Sequence, residues 1–473
     1  MKPGTLLAAW NRTVRAAPGA PALTEAATAR VWSRRELDAR ADAWRAGHGA
    51  AIAGQTVAFA EPNGAAWLEV FLGLLKSDAV AAALDPGEPL SSRREISAAI
   101  RAPFLWGAGR LEALAPRRRP HADGRRLVKL TSGSTGTPRA LAFTDAQMLA
   151  DGRQVCASMG IAPDDVNFAL IPFGHSYGLG NLVVPLLAQG TALVCGTSAL
   201  PHAMAAEIAR WTPTVFPAVP AILSAMSESD VPPGQLRSVR TFISAGAPLG
   251  GETARRFHAR FHRKIHGFYG SSETGGIAYD RDGEATLAGR SVGRPMDGVR
   301  LRPGGGGRFS VAGAAVFTIG NRCRSGTLGR HRTADIATWD PLGELVLIGR
   351  AGPFVKLQGR RFSLAEVESA IRRVPGVRDA LVVLQPGQPD RLAAVVAGGL
   401  PAAALQAALR ERLPPWKIPR RLVFLAAFPL TARGKPDRRR LLGLLRSPGA
   451  KAQPSSVASI STPSAARQMS ARR

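Results

Sequence analysis

Thr131-Ser132-Gly133-Ser134-Thr135-Gly136-Thr137-Pro138-Arg139 decides how the rest of the chain is read. Hydroxyls recur at Thr131, Ser132, Ser134, Thr135 and Thr137, glycines stand at Gly133 and Gly136, and a basic side chain closes the run. The segment Leu127-Val128-Lys129-Leu130 ahead of it predicts a short buried strand. Behind it, Thr144-Asp145-Ala146-Gln147 has the form of a capping box that opens a helix. Strand, hydroxyl-rich loop and helix make a geometry suited to polyphosphate. Glycines let backbone N–H groups approach an anion, hydroxyls donate further bonds, and a cation supplies charge. The spacing is not Walker A, because no Gly-Lys-Ser/Thr ends it. An ordinary Ser/Gly surface loop has the same composition, so the surrounding chain has to decide.

A chain of 473 residues, 45% hydrophobic and 20% charged, has the composition of a globular protein and the length for two or more domains. No stretch is apolar enough to span a membrane; Asn181 to Leu200 comes nearest and is interrupted by Pro185, Gln189, Gly190 and Thr191. The short apolar run Leu6 to Trp10 gives way to Asn11 and Arg12 and makes a poor signal peptide. Cys156, Cys195 and Cys323 lie too far apart for a disulfide framework or a zinc site, and a cytoplasmic location is expected. The net charge of +28 raises nucleic-acid binding as one reading. No helix-turn-helix, zinc-finger or RNA-recognition signature accompanies it, and the arginines are dispersed. Basic surface composition is the plainer reading, with anionic ligands or an acidic protein partner as the other.

Read in order, residues up to about 126 mix helix and strand signals. Ser33 with Glu36 caps a helix through Leu37, Ala41 and Trp44. A strand at 56–60, a helix at 65–76 and a strand at 79–84 form a parallel α/β unit. A second such unit follows: strand 166–172, helix 179–188, strand 192–195. Between its first two elements lies Gly174-His175-Ser176-Tyr177-Gly178, which fits Gly-x-Ser-x-Gly, the nucleophile elbow of α/β-hydrolases. Ser176 is therefore a rival nucleophile. A strand at 240–244 ends in Ala245-Gly246-Ala247-Pro248. His258, His262 and His266 follow at i, i+4 spacing and are read as a basic helix face, since no zincin pattern accompanies them. Next come Tyr269-Gly270-Ser271-Ser272-Glu273, His331-Arg332-Thr333-Ala334-Asp335, and Gly349-Arg350. Ser363 with Glu366 caps a further helix, strands are expected at 380–384 and 392–397, and Ala432-Arg433-Gly434-Lys435 stands near the end. Beyond Ser447 the chain reads as a disordered basic tail.

In this order and spacing the blocks resemble the adenylate-forming superfamily of acyl-CoA synthetases, peptide-synthetase adenylation domains and luciferases, over roughly residues 25 to 445. The resemblance implies an α/β fold of stacked layers: an N-terminal AMP-binding domain (1–348), a hinge (349–352), a small mobile C-terminal α+β lid (353–446) and the tail (447–473). It implies an acid–thiol ligase that makes an acyl-adenylate from ATP and then a thioester. The expected acceptor is CoA, with the phosphopantetheine of an acidic carrier protein as the alternative. By the same resemblance Thr131, Ser132, Gly133, Ser134, Thr135, Gly136 and Arg139 hold the β- and γ-phosphates. Gly246, Ala247 and Pro248 line the adenine side, where Tyr269 stacks, and Gly270, Ser271 and Ser272 complete the wall. Glu273 ligates Mg²⁺, Asp335 accepts from the ribose hydroxyls with Arg350 assisting, and Lys435 bridges substrate carboxylate and α-phosphate. Gly359 and Arg361 face the pantetheine tunnel, and His175 stands where acyl group and thiol meet.

The pattern has departures. Arg139 replaces the usual lysine, Ala140 and Ala334 replace glycines, His331 replaces an aromatic residue, and Gly352 stands where a hinge Asp or Lys is usual. The block around His175 lacks the aspartate that binds an α-amino group, so the acid is not expected to be an amino acid. Phe173, Tyr177 and His266 are expected to frame an aromatic or medium-length acyl pocket. A catalytically degraded nucleotide-binding module is the alternative that keeps the fold and loses the chemistry.

Overall fold

Two of the three expected capping pairs lie among the described side chains, and both form as their spacing demands. Ser33 accepts from the Glu36 N–H while the Glu36 carboxylate accepts from the Ser33 N–H, and helix Arg34–Ile52 follows. Thr144 and Gln147 close the same reciprocal pair at the head of helix Asp145–Met159. Each arrangement satisfies N–H groups that a helix start leaves without intrahelical partners. The first α/β unit also takes shape where its periods change: strand Thr56–Phe59, helix Ala65–Lys76 and strand Val80–Ala83.

The computed structural model describes residues 4–118, 124–131, 139–318, 328–350, 354–357, 360–385, 388–413, 415–431 and 436–446. Ser132, Gly133, Ser134, Thr135, Gly136, Gly352, Gly359, Lys435 and the tail therefore lie outside the described residues, as do the side chains of Arg350, Arg361, Ser363 and Glu366. The chain is mixed α/β and divides into a large unit and a small one, the small one beginning at Phe354.

Among the described residues the large unit holds sheets of nine, six and four strands. The nine-stranded sheet is parallel through its middle, where Ile265–Ser271, Thr241–Ser244, Val215–Ala218, Val166–Ala169, Ala192–Cys195 and Pro21–Glu25 lie side by side. Such strands are covered on both faces and tend to read as apolar runs, as the fully buried strand Val215–Ala218 does; Thr241–Ser244 is fully buried too, with Phe242 and Ile243 between two hydroxyl residues. The six-stranded sheet runs Arg110–Ala113, Phe104–Gly107, Thr56–Phe59, Val80–Ala83, Arg125–Thr131, Arg139–Thr144. One apolar cluster, with Trp10, Leu23, Phe59, Trp67, Leu127, Phe143 and Leu193 among its members, fills the space against both sheets. The four-stranded sheet, Arg300–Pro303, Arg308–Gly313, Gly329–Trp339 and Leu345–Arg350, is antiparallel.

The small unit has a hairpin, Phe354–Leu357 with Arg360–Ser363, and a three-stranded sheet, Val377–Gln385, Gln388–Gly398 and Arg421–Leu425. Helices Leu364–Arg372 and Ala402–Arg410 bury Val367, Ile371, Leu405 and Leu409 against Val382, Ala394 and Val396. Helix Arg438–Arg446 buries Leu441 and Leu445 with Leu381 and Val395.

Three local expectations are corrected. A strand, Arg139–Thr144, intervenes between the hydroxyl-rich loop and its helix and pairs antiparallel with Arg125–Thr131. The cause is a period of two: Leu141 and Phe143 are buried while their neighbours are not. The loop therefore joins two strands, and no helix dipole points from its end. The expected helix at 179–188 is helical from Ser176 to Gln189, with a π-helical turn at Leu179–Val183. The three histidines do not share a helix face. His258 is helical, His262 ends that helix at φ +51°, and His266 lies on a strand with its ring stacked on Tyr279.

Asp165 ties the starts of three parallel strands together, its own, Val166–Ala169, with Val215–Ala218 and Thr241–Ser244. Its carboxylate accepts from Arg240 Nε at 3.0 Å, the Thr214 hydroxyl at 2.7 Å and the Ala162 N–H at 2.8 Å. Burial alone pushes such a carboxyl up, but these bonds to Arg240, Thr214 and Ala162 together hold it below its ordinary value. A depressed folded-state pKa stabilises above the unfolded pKa, and the stabilisation is lost as pH falls through the folded one. Asp165→Asn is expected to cost about 1–3 kcal/mol at pH 7. The gap in Tm between variant and wild type should close below about pH 4; a gap that stays constant in thermal melts from pH 7 to 3 would show that the charge is not what matters.

Cys156 and Cys195 are buried thiols, and burial pushes Cys156 up to about 12 and Cys195 higher. Neither is a reactive nucleophile at neutral pH. Cys323 lies outside the described residues.

Candidate active site

Several of the sequence blocks lie where parallel strands end. Open α/β sheets bind ligands beyond the carboxyl ends of their strands, because loops there diverge and leave a crevice. Pro172–Tyr177 follows strand Val166–Ala169, Ala245–Pro248 follows Thr241–Ser244, and Tyr269–Ser271 is the last part of Ile265–Ser271. Thr131 ends a strand of the six-stranded sheet that runs parallel to Val80–Ala83.

Gly246 has φ +88°, and with Ala247 and Pro248 it is exposed, so this turn presents bare backbone. Strand Ile265–Ser271 turns back into Gly275–Tyr279, with Ser271 opposite Gly275 and Gly270 opposite Gly276. Ser272, Glu273 and Thr274 make the turn. Thr274 is buried and Glu273 half-buried, and the Glu273 carbonyl accepts the Phe317 N–H at 2.7 Å. The Tyr269 hydroxyl donates to the Asp335 carboxylate at 2.5 Å. Asp335 lies directly opposite Arg350 in the antiparallel pair Gly329–Trp339 and Leu345–Arg350. Tyr269, Asp335 and the backbone of Arg350 are therefore brought together from segments far apart in sequence.

His175 caps a short helix, its Nδ1 accepting the Tyr177 N–H at 3.5 Å. The Ser176 hydroxyl donates to the Ser272 hydroxyl at 2.9 Å, which joins this loop to the Tyr269–Glu273 hairpin. Thr131 is half-buried, its hydroxyl 3.5 Å from the Arg139 carbonyl, and Arg139 is exposed.

Two pocket expectations fail. Phe173 is fully buried, edge-on to Trp67 at 5.4 Å between ring centroids. Tyr177 is buried too, with its hydroxyl placed to donate to the carbonyls of Ala218 and Ile243 at 3.4 and 3.3 Å. Both are core residues; alternation along an unknown loop does not say which side chain faces inward. Ser176 does not have the strained backbone of an elbow nucleophile: it is absent from the described non-glycine residues at positive φ.

Sequence reading also missed Lys129 and Asp151. Lys129 is buried beside Asp151 at 3.7 Å, on the strand that leads into the hydroxyl-rich loop. Burial pulls the ammonium below the ordinary lysine value, opposed by the charges of Asp151 and then Glu273. The available signal was a lysine inside the otherwise apolar segment 127–130.

Two family profiles match in order along the chain: AMP-binding enzyme over residues 105–302 and AMP-binding enzyme C-terminal domain over residues 366–435. The chain belongs to the adenylate-forming, AMP-binding enzyme family. A probable non-canonical nonribosomal peptide synthetase, CymA, of Salinispora arenicola is 29% identical over 92% of this chain and 6% of its own length. A benzoate–CoA ligase of Thauera aromatica is 30% identical over 66% of this chain and 64% of its own. The chain thus spans less than two thirds of each of these relatives. Among solved structures, Klebsiella oxytoca NpsA in complex with 3-hydroxyanthranilyl-AMSN superposes with a TM-score of 0.78 at 22% identity, covering 93% of this chain and 99% of that one. That likeness is one of fold. Among the described residues no helix is long and apolar enough to cross a membrane.

Proposed function

We propose that this AMP-binding enzyme activates a carboxylic acid with ATP as an acyl-adenylate and then transfers the acyl group to the thiol of CoA. The observation that carries the reading is the convergence of Tyr269, Asp335 and Arg350. A ring, a carboxylate and a cation-bearing strand position meet at the mouth of a parallel sheet, as recognition of an adenosine requires.

Bringing a carboxylate to the α-phosphate joins two anions, so neutralisation and positioning dominate the barrier. Thr131, Ser132, Gly133, Ser134, Thr135, Gly136 and Arg139 would hold the departing pyrophosphate. Gly246, Ala247 and Pro248 would border the adenine and Asp335 the ribose. Among the described residues no group of three His, Cys, Asp or Glu forms a metal cage, whereas the half-buried Glu273, whose charge reaches Lys129 on the strand that leads into the hydroxyl-rich loop, suits Mg²⁺, a hard cation commonly held by one carboxylate together with substrate phosphates. Bound there, Mg²⁺ would supply charge neutralisation on the phosphates. Lys435 would bridge the two reacting anions during adenylation. His175 would stand between acyl group and thiol, and Gly359 and Arg361 along the pantetheine path. A hinge at 349–352 would let residues 353–446 alternate between the two half-reactions.

Loading of a carrier protein is the second reading. It is favoured by the peptide-synthetase match over 92% of the chain and by the net charge of +28, which suits an acidic partner. The similarity to a benzoate–CoA ligase favours CoA and an aromatic acid. Acid-dependent ATP–pyrophosphate exchange across aromatic and aliphatic acids, followed by thioester formation with CoA or with a phosphopantetheinylated carrier, tests both. Exchange is expected with at least one non-amino acid. Its absence across the panel would favour a nucleotide-binding module without ligase chemistry. Ester hydrolysis abolished by Ser176→Ala would favour a hydrolase.

A further inference from the structure

Lys129 breaks the pattern of its own strand. It shares a face with Leu127 and Thr131, pairs across the ladder with Leu141, and is 2% exposed, with its Nζ 4.4 Å from the centre of the Phe143 ring. An ammonium this deep requires a counter-charge. Asp151, 3% exposed on helix Asp145–Met159, supplies it at 3.7 Å. The other Asp151 oxygen accepts the Gly276 N–H at 3.1 Å. Gly275 has φ +69°, and a Cβ there would stand 2.1 Å from that same oxygen. The carboxylate therefore sits directly on the backbone of the hairpin whose turn carries Glu273, and the charge of Glu273 reaches Lys129 as well.

Replacing a buried ion pair by neutral groups of similar shape is often neutral or favourable for stability, so stability alone does not account for this one. We propose that Lys129 is a positioning residue: through Asp151 it ties the strand entering the hydroxyl-rich loop to the Glu273 turn and keeps the two sides of the phosphate site in register. The proposal rests on the ATP reading above. Lys129 touches no substrate; it acts through Asp151 and Glu273.

The test is a double-mutant cycle on ATP binding, measured by calorimetry with Mg²⁺ and without any acid. Lys129→Met combined with Asp151→Asn removes both charges and keeps an acceptor for Gly276. This variant is expected to melt within about 5 °C of wild type yet to need about tenfold more ATP for half-saturation. On a Glu273→Gln background the same pair of changes should add less than about twofold, because the effect passes through Glu273. Unchanged affinity at wild-type Tm, or a full tenfold loss on the Glu273→Gln background, would overturn the proposal and leave a merely structural pair. If the charge-free variant does not fold, Lys129→Gln, which retains a donor to Asp151, replaces it in the same cycle. Wild-type protein that binds no ATP overturns the nucleotide reading and this proposal together. That result is distinct from wild type and variant binding equally.

Discussion

Lys435→Ala is expected to lower acid-dependent ATP–pyrophosphate exchange by at least about 10², roughly 3 kcal/mol of transition-state stabilisation. Thioester formation from a supplied acyl-adenylate should stay within about threefold. The asymmetry follows from charge. In adenylation a carboxylate approaches a triphosphate, and one ammonium between the two anions offsets repulsion that grows as they close. In the second step a thiol attacks a neutral carbonyl carbon, and the departing AMP needs no cation at that place. The described flanks of the segment belong to the small unit: Leu430 and Pro436 form an antiparallel bridge, and the Asp437 N–H donates to the Pro429 carbonyl at 2.7 Å. If the small unit rotates as proposed, a lysine between such flanks would serve one half-reaction and leave during the other. Equal losses in both steps would remove the mobile role. Loss of neither would remove Lys435 from the site.

The parts of the fold that were legible are those that local chemistry enforces. Ser33 with Glu36 and Thr144 with Gln147 are each complete within four residues, and no tertiary context is needed to form them. Helix Ala65–Lys76 was legible because its apolar positions run almost unbroken, as a helix packed between layers requires. Strand Arg139–Thr144 was obscured by the loop before it, whose composition drew attention away from the alternation of Leu141 and Phe143. The histidine triplet misled because i, i+4 spacing persists in the sequence after the helix has stopped at His262. Lys129 and Asp151 are 22 positions apart by their numbers, and only the packing of a helix across a strand joins them. Tyr269 and Asp335 belong to the same class: the motifs name both, but their hydrogen bond exists only because two separate sheets deliver them to one place.

That bond makes Asp335 the sharpest test of the nucleotide site. Asp335→Asn should raise the KM for ATP by about 10- to 100-fold, since a hydrogen bond to a charged acceptor is worth about 1.5–3 kcal/mol. The decisive comparison uses 2′-deoxy-ATP. Wild-type protein should discriminate against it by a similar factor, and the variant should discriminate several-fold less, because the negative charge that strengthens the bond to the missing hydroxyl has gone and only a neutral amide oxygen remains. Tyr269→Phe separates the two demands on this carboxylate. It removes the 2.5 Å bond from the phenol but keeps the ring and the negative charge, so the KM for ATP should move by less than about threefold while the preference for a ribose persists. If Asp335 served only to anchor Tyr269, the two variants would behave alike and neither would alter the response to the 2′-hydroxyl. A carboxylate that reads the sugar predicts that they part company: Asp335→Asn weakens ribose discrimination, and Tyr269→Phe retains it in full.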